Sequence, residues 1–329
     1  MVLRNGIVRL ATLVFLALLI LGPAPAFAGS DEALSVYMYD DTKRLVSFVE
    51  DAADLMQREG EAAFTEFAEK GSRWFTDEFY LFVYHIDGVC AFHAANPSLI
   101  GKNLMYLRDM NGKPVIRFIT DIGLQPEKDA AGWVFYFWEE QTQLNPSWKT
   151  AYIRKVIAPD GKTFLIGSGR YQIKVEKRFV ELQVKAAAKL LKTAGKLAAF
   201  REFQDPASRF VFLDTFIFVL DKEGRTLIDP AYPTLGGRDL AQFKDMIGAR
   251  PLQDALAKLA EADHAWVQYL WPQPGRAVPT RKLIYLRKVD IDGETLIIGT
   301  DFFLATPIWL KVEDGEAEDS KEWRRNLPG

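Results

Sequence analysis

The chain has 329 residues, of which 49% are hydrophobic and 26% are charged, a composition that favours folded domains over disorder. Its formal net charge is −3 and it lacks a long basic run, so the charge distribution gives no indication of a nucleic-acid partner. Cys90 is the only cysteine, which excludes an intrachain disulfide, and its apolar neighbours predict a buried structural thiol.

The first 28 residues have the pattern of a signal peptide. Arg4 and Arg9 precede an apolar run over 10–21, and the small residues of 26–28 are typical of a signal peptidase site. An uncleaved membrane anchor is the alternative, but about a dozen apolar residues are fewer than the roughly 20 that span a bilayer. We therefore expect cleavage after residue 28, a periplasmic or secreted protein, and no stable membrane insertion afterwards.

The rest of the chain repeats itself. Tyr80–Gly88 matches Phe216–Gly224 at an offset of 136 residues. Further along, an offset of 133 pairs Trp133, Tyr136 and Trp138 with Trp266, Tyr269 and Trp271, and an offset of 132 pairs Gly167–Tyr171 with Gly299–Phe303. The repeat predicts two homologous domains, 45–175 and 176–305, which follow an N-terminal segment (29–44) and precede a charged tail (306–329).

Within each unit, a helical pattern comes first and strand patterns follow. Apolar residues recur every three or four positions over 46–67 and 180–203. Runs rich in Phe, Tyr, Val and Ile come next, separated by Asp-Gly or Glu-Gly pairs that are typical of hairpin turns. In the first unit they predict strands over 79–86, 89–93, 133–138, 149–157 and 163–171, with a helical or loop insertion over 99–122. This order predicts a PAS-like α+β fold, in which an N-terminal helix packs on a five-stranded antiparallel sheet that has one face free for a ligand.

The first unit resembles the Cache_2 type of Cache domain. The resemblance is carried by His93, Pro97–Leu104, Asn111–Pro114, the aromatic strand 132–138 and Gly167–Gly169. The second unit has a similar but weaker pattern, with Asp301 in place of Gly169. The resemblance implies two tandem Cache modules of the kind that form the extracytoplasmic, ligand-binding parts of chemoreceptors and sensor kinases. Because no apolar stretch of spanning length follows the signal peptide, a membrane sensor partner would have to carry the signal inward.

Aromatic and charged side chains mark a candidate ligand site in each unit. Tyr136 with Trp138, and Tyr152 with Arg154, alternate within their strands, so each pair projects to one face. Aromatic walls would exclude water, and an arginine can bind a carboxylate through two parallel hydrogen bonds. The alternative is that the aromatic residues belong to the core and that Arg154 forms a surface ion pair. The candidate ligand-binding residues are His93, Tyr136, Trp138, Lys149, Tyr152, Arg154, Ser168, Tyr269, Trp271, Tyr285 and Arg287.

The sequence offers no catalytic or metal-binding motif, and we expect no cofactor. His85, His93 and His264 lack the spacing of a zinc-enzyme helix, and the chain has no Gly-Xaa-Ser-Xaa-Gly nucleophile elbow. We therefore expect a non-enzymatic sensory protein that binds a small carboxylate or amino acid. The alternative function is an interaction protein whose modules dock a membrane receptor or enzyme without a ligand.

Overall fold

The structure, a computed structural model, describes residues 33–140, 145–245, 247–271 and 279–304. The predicted signal peptide and the predicted charged tail lie outside the described residues. Within the described part of the chain, no helix is both long enough and apolar enough to cross a membrane.

The first half of the chain forms a five-stranded antiparallel sheet. Helix α1 (Asp40–Glu59) comes first, followed by a 3₁₀ turn and the short helix α2 (Phe64–Phe67). The strands are β1 (Phe82–His85), β2 (Cys90–His93), β3 (Ala131–Trp138), β4 (Ser147–Ile157) and β5 (Thr163–Tyr171), and helix α3 (Val115–Gly123) lies between β2 and β3. The order in the sheet is β2-β1-β5-β4-β3, so the two ends of the meander β3-β4-β5 lie at an edge and at the centre.

The second half forms a second sheet with the same order of strands. Helices α4 (Lys177–Ala194) and α5 (Lys196–Gln204) precede a two-stranded ribbon of β6 (Val211–Phe212) and β7 (Thr215–Phe216). The sheet itself contains β8 (Phe218–Asp221), β9 (Thr226–Ile228), β10 (His264–Trp271), β11 (Thr280–Ile291) and β12 (Glu294–Phe303), with helix α6 (Pro251–Glu261) between β9 and β10. Its order, β9-β8-β12-β11-β10, corresponds strand for strand to that of the first sheet.

Helix α1 differs from its predicted bounds at both ends. It begins at Asp40 because the buried carboxylate of Glu176 accepts hydrogen bonds from the backbone N–H groups of Met38 (2.7 Å) and Tyr39 (3.0 Å), two donors that precede the first turn. It ends before Gly60, whose φ of +61° is left-handed and favours glycine. The helical pattern over 46–67 therefore contains a break that apolar periodicity does not indicate.

Each sheet is covered by a helix on both faces. In the first sheet, α1 packs on β4 and β5, and α3 packs on the opposite face. Leu45, Val49 and Met56 of α1 and Ile116 and Ile119 of α3 are almost fully buried, and each such side chain contributes roughly 1.5–3 kcal/mol. The face covered by α3 also contains Cys90, which is buried as its neighbours predict.

The two halves are in direct contact. The buried ammonium of Lys113 donates hydrogen bonds to the carbonyl oxygens of Ser208 and Val211, which belong to the second half. Phe135 of β3 stacks on Phe212 of the β6-β7 ribbon, with ring centroids 4.0 Å apart. These contacts hold the α1 face of the first sheet against the β6-β7 ribbon. The α3 face of the first sheet forms a separate pocket.

Candidate ligand-binding site

The alternation of β3 and β4 places the candidate residues of the first sheet on two opposite faces. Tyr136 pairs with Lys149 across the two strands, and paired residues project to the same side. Trp133 pairs with Tyr152, three residues along each strand from the first pair. Because three is an odd number of residues, Tyr152 projects to the other side of the sheet. The α3 face therefore holds Tyr136, Trp138 and Lys149, and the α1 face holds Tyr152 and Arg154.

Lys149 is the charged group of the pocket on the α3 face. It is 1% exposed, and its ammonium donates a hydrogen bond to the hydroxyl of Tyr80. The ammonium lies over the rings of Tyr80 (4.1 Å), Tyr171 (5.5 Å) and Phe82 (5.6 Å). None of the ion pairs among the described residues involves Lys149, so within that part of the chain its charge is compensated by the Tyr80 hydroxyl and by aromatic faces.

His93 presents a second donor to the same pocket. Its Nδ1 accepts a hydrogen bond from the backbone N–H of Asn96 (3.0 Å). Burial, together with the positive charge of Lys149, lowers the pKa of His93 to about 4. The imidazole is therefore neutral at pH 7, and because Nδ1 accepts, its proton is on Nε2. The polar groups of the pocket are thus mainly hydrogen-bond donors.

Two glycines of β5 provide the space for these side chains. A Cβ at Gly169 would lie 2.6 Å from Cε of Lys149, and one at Gly167 would lie 2.6 Å from Cδ1 of Ile153 and 2.7 Å from the ring of Phe82. The side chains of the neighbouring strands therefore cross β5 where it lacks side chains of its own. The cavity that remains has a volume of about 10 Å³, room for about one water molecule, and is lined by Phe82, Tyr84, His93, Val115, Ile116, Ile119, Tyr136, Trp138 and Lys149.

A carboxylate also lies near one end of this pocket. Burial and the neighbouring Tyr80 raise the pKa of Tyr171, and the charge of Glu140 contributes to the same shift. Oε2 of Glu140 is buried and has no hydrogen-bond partner among the described residues. Lys149 and Glu140 do not form an ion pair with each other, and Glu140 is not among the residues that line the cavity.

The remaining candidates of the first sheet are held on its α1 face. The Tyr152 hydroxyl and Nε of Arg154 both bind the carboxylate of Glu50 on α1, at 2.7 Å and 2.9 Å. Ser168 donates its hydroxyl hydrogen to the backbone carbonyl of Tyr80 (2.8 Å). These three side chains connect the sheet to its neighbours, and the structure does not bring them to the pocket of Lys149.

The second sheet divides its candidates in the same way. Tyr269 and Trp271 line a cavity of about 320 Å³ on the α6 face. Tyr285 and Arg287 project to the opposite face, where Arg287 forms an exposed ion pair with Asp263 (2.6 Å). The two faces again differ because residues one step apart along a strand alternate.

The candidates from the sequence did not include several polar residues at these pockets. The hydroxyl of Tyr80 accepts a hydrogen bond from the Lys149 ammonium. Lys282, the repeat partner of Lys149, lies in the second cavity together with Asp229 and Asp301. The 133-residue offset could have identified Lys282, and the replacement of Gly169 by Asp301 was visible in the sequence, but only the structure shows that the two side chains form an ion pair.

The comparisons with known proteins agree with this architecture. A family model of the Cache domain matches residues 65–304. The chain belongs to the Cache domain family, and the resemblance seen in the sequence is confirmed.

Individual relatives match parts of the chain. Over 111 residues it is 27% identical to the methyl-accepting chemotaxis protein McpP of Pseudomonas putida, a match that covers 34% of this chain and 19% of that protein, so the chain spans only about a fifth of this relative's length. A solved methyl-accepting chemotaxis protein from Vibrio parahaemolyticus is 22% identical with a TM-score of 0.33, over 44% of this chain and 93% of that one. A solved Cache chemosensory domain, described for its recognition of carboxylic acids, is 21% identical with a TM-score of 0.31, over 38% of this chain and 85% of that one.

Proposed function

We propose that the chain is a non-enzymatic extracytoplasmic sensory protein built from two tandem Cache modules, and that the first module binds a small carboxylate through Lys149. The observation that carries the proposal is a buried lysine whose ion-pair partner is absent from the described residues. Membership of the Cache domain family supports the sensory role. The ligand-bound protein would act on a membrane sensor partner.

The first support is the unbalanced charge of Lys149. Transfer of an ammonium group from water to a protein interior costs several kcal/mol unless a counter-charge and hydrogen bonds compensate. The Tyr80 hydroxyl and three aromatic rings compensate only in part. A ligand carboxylate would supply the missing negative charge.

The second support is the donor character of the other polar groups. The neutral imidazole of His93 offers Nε2–H to the cavity, since its Nδ1 is already occupied by Asn96. Charge-assisted hydrogen bonds to a carboxylate are about twice as strong as neutral ones. Lys149 and His93 can therefore bind the two oxygens of one carboxylate, and a short apolar tail requires Tyr136, Trp138 and Ile119 to move apart, because the cavity of about 10 Å³ has room for only about one water molecule.

The proposal is tested by titration calorimetry of the purified chain with acetate, propionate, lactate and pyruvate, and with glycine and alanine as amino acids of matching size. We expect at least one carboxylate to bind. Lys149→Met should weaken that binding by about ten- to a hundredfold, because a hydrogen bond to a charged group contributes about 1.5–3 kcal/mol. Met has nearly the length of Lys and keeps the apolar packing.

Arg154→Met is the matched control, because it removes a cation from the opposite face of the same strand. It should leave the affinity unchanged. Unchanged binding in Lys149→Met, or loss of binding in Arg154→Met alone, would contradict the proposed site.

A further inference from the structure

The edge strand β3 of the first sheet borders a groove between the two halves of the chain. The groove has a volume of about 280 Å³, near the lower end of the roughly 300–1,000 Å³ that is typical of ligand pockets. Residues 131–135 of β3 form its floor, Phe118 and Ile122 of α3 form one wall, and Phe179 and Leu182 of α4 form the other. None of its described lining residues belongs to the pockets of the two sheets.

The backbone of β3 has free hydrogen-bonding groups along this groove. Lys155 donates its N–H to the carbonyl of Ala130 (2.8 Å), which fixes the alternate residues of β3 whose backbone groups face β4. Ala131, Trp133 and Phe135 therefore direct their N–H and C=O groups away from β4, and no group of the described residues binds them. Such an edge can pair with another strand.

The equivalent edge of the second sheet is partly closed by a lysine. The ammonium of Lys258 on α6 donates a hydrogen bond to the carbonyl of Trp266 (3.2 Å), the repeat counterpart of Trp133. By the 136-residue offset, Ile122 of α3 takes the place of Lys258. Lysine at a sheet edge is a common protection against pairing with other chains. The edge of β3 therefore has an apolar side chain where its counterpart has a protecting charge.

A buried amide on the α4 wall has an acceptor without a donor. Gln183 is 5% exposed, and its Nε2 donates a hydrogen bond to the carbonyl of Phe210 (2.8 Å). A carbonyl only accepts, so this bond fixes the orientation of the amide, and Oε1 has no hydrogen-bond partner in the described part of the chain. An unsatisfied buried acceptor is unfavourable, and because Gln183 lines the groove, an N–H of a bound molecule can supply the donor.

An extended peptide has the groups that this groove lacks. On one side its N–H and C=O groups can pair with Ala131, Trp133 and Phe135, and on the other side an N–H can bind Oε1 of Gln183. Successive side chains of an extended segment point to opposite faces, so they contact the apolar walls of α3 and α4 in turn.

We propose that the groove along β3 binds an extended, largely apolar segment of a partner protein, which adds to the first sheet as a sixth strand. Because α3 belongs to the first half of the chain and α4 to the second, the bound segment contacts both halves. The inference goes beyond the ligand site proposed for Lys149 and does not depend on it.

Titration calorimetry of the purified chain with the capped peptide acetyl-Thr-Leu-Thr-amide tests the proposal, and saturable binding is expected. Alternate N–H groups of an extended peptide face opposite sides, so two N-methylated forms, one methylated at leucine and one at both threonines, each lose the donors of one side. The form that loses the donors facing β3 should bind at least tenfold more weakly than the other form. Equal affinities of the two forms would overturn the proposed strand pairing.

Ala186→Trp fills the groove from an exposed position of α4 and should weaken peptide binding at least tenfold. Lys185→Trp is the matched control, because Lys185 is exposed on the same helix outside the groove, and it should leave the affinity unchanged. If Ala186→Trp fails to fold, the two methylated peptides, which leave the protein unchanged, decide alone.

Sedimentation velocity of the chain without peptide distinguishes a partner protein from a second copy of this chain. We expect a sedimentation coefficient that is the same for the wild-type chain and for Ala186→Trp. A dimer that Ala186→Trp dissociates would assign the groove to a second copy and overturn the proposal. Absence of saturable peptide binding at millimolar concentration would overturn it as well.

Discussion

Replacement of the two buried lysines by methionine should change stability in opposite directions. Lys149 has no carboxylate partner among the described residues, so Lys149→Met removes a desolvated charge and leaves no opposite charge behind. The variant loses one hydroxyl hydrogen bond and contacts with aromatic rings, together about 1–3 kcal/mol, and is relieved of a desolvation cost of several kcal/mol. The free protein should therefore gain about 0–2 kcal/mol.

Lys282→Met should lower the stability of the free protein, because the Asp301 carboxylate would remain without its partner. The Lys282 ammonium lies 2.9 Å from the Asp301 carboxylate, whose side chain is 22% exposed. Breaking a buried pair by removing one partner costs about 3–5 kcal/mol, and partial exposure of Asp301 reduces this to about 1–3 kcal/mol. Both variants replace a buried lysine by methionine at equivalent positions of β4 and β11. The main difference between the two sites is the charge around each lysine.

Urea unfolding at pH 7, followed by far-ultraviolet circular dichroism without ligand, measures both variants against the wild-type chain. The reasoning is refuted if Lys149→Met is destabilised as much as Lys282→Met. A saturating carboxylate should then stabilise the wild-type chain, by about 2.7 kcal/mol at a hundred times its Kd, and leave Lys149→Met unaffected. That second comparison separates the role of Lys149 in binding from its cost in the free protein.

Three further predictions concern the surroundings of the pocket. Between pH 6.5 and about 4, His93 binds a proton in the unfolded chain but not in the folded protein, so the free energy of unfolding should fall as the pH decreases through this range. Urea unfolding at pH 7 and at pH 4.5 measures this loss of stability. His93→Gln should make the loss smaller by about 2–3 kcal/mol. Glu50→Gln should cost about 1–2 kcal/mol, because partly buried Arg154 loses its ion pair, and calorimetry should show unchanged ligand affinity. Gly167→Ala should lower the free energy of unfolding by about 1–3 kcal/mol in the same unfolding assay, because its Cβ would lie 2.6 Å from Cδ1 of Ile153. An unchanged free energy of unfolding would show that the neighbouring side chains move aside at little cost.

The repeat and the alternation of residue types predicted much of the fold. Phe, Tyr, Val and Ile at strand positions, with glycine turns between them, predicted five strands in the first unit, and the structure has five in each sheet. The bounds were less predictable where tertiary contacts set them. Helix α1 begins at Asp40 because Glu176, more than 130 residues away, binds the N–H groups before it. The β6-β7 ribbon, which packs on Phe135 of the first sheet, was not predicted, and the isolated bridge between Phe75 and Tyr80 is its equivalent in the first half.

The ligand site was less predictable because the alternation of residues along a strand assigns side chains to two faces of the sheet and does not indicate which face contains the pocket. Tyr152 and Arg154 share a face, as their spacing predicts, but so do Tyr136 and Lys149 on the other side. The choice between the faces depends on where α1 and α3 pack and on Glu50, whose carboxylate binds Arg154 across about a hundred residues of sequence. Arginine chemistry favoured the guanidinium of Arg154 as the anion-binding group, whereas the candidate cation without a carboxylate partner among the described residues is Lys149, five residues earlier on the same strand.

The equivalent strands β5 and β12 connect ligand preference to stability. Both keep a glycine where a Cβ would meet an aromatic ring of the neighbouring strand, Phe82 at 2.7 Å from Gly167 and Phe218 at 2.5 Å from Gly299. Two residues later they diverge, and Asp301 gives Lys282 an internal counter-charge that Gly169 cannot give Lys149. The cost of the second buried lysine is thus offset within the folded chain, whereas that of the first is offset only when an anion binds. Affinity for a carboxylate in the first pocket and stability of the empty protein therefore oppose each other. Gly169→Asp supplies the missing charge and should abolish carboxylate binding, and its effect on stability is the gain from the new ion pair less the cost of displacing Cε of Lys149, which would lie 2.6 Å from the added Cβ.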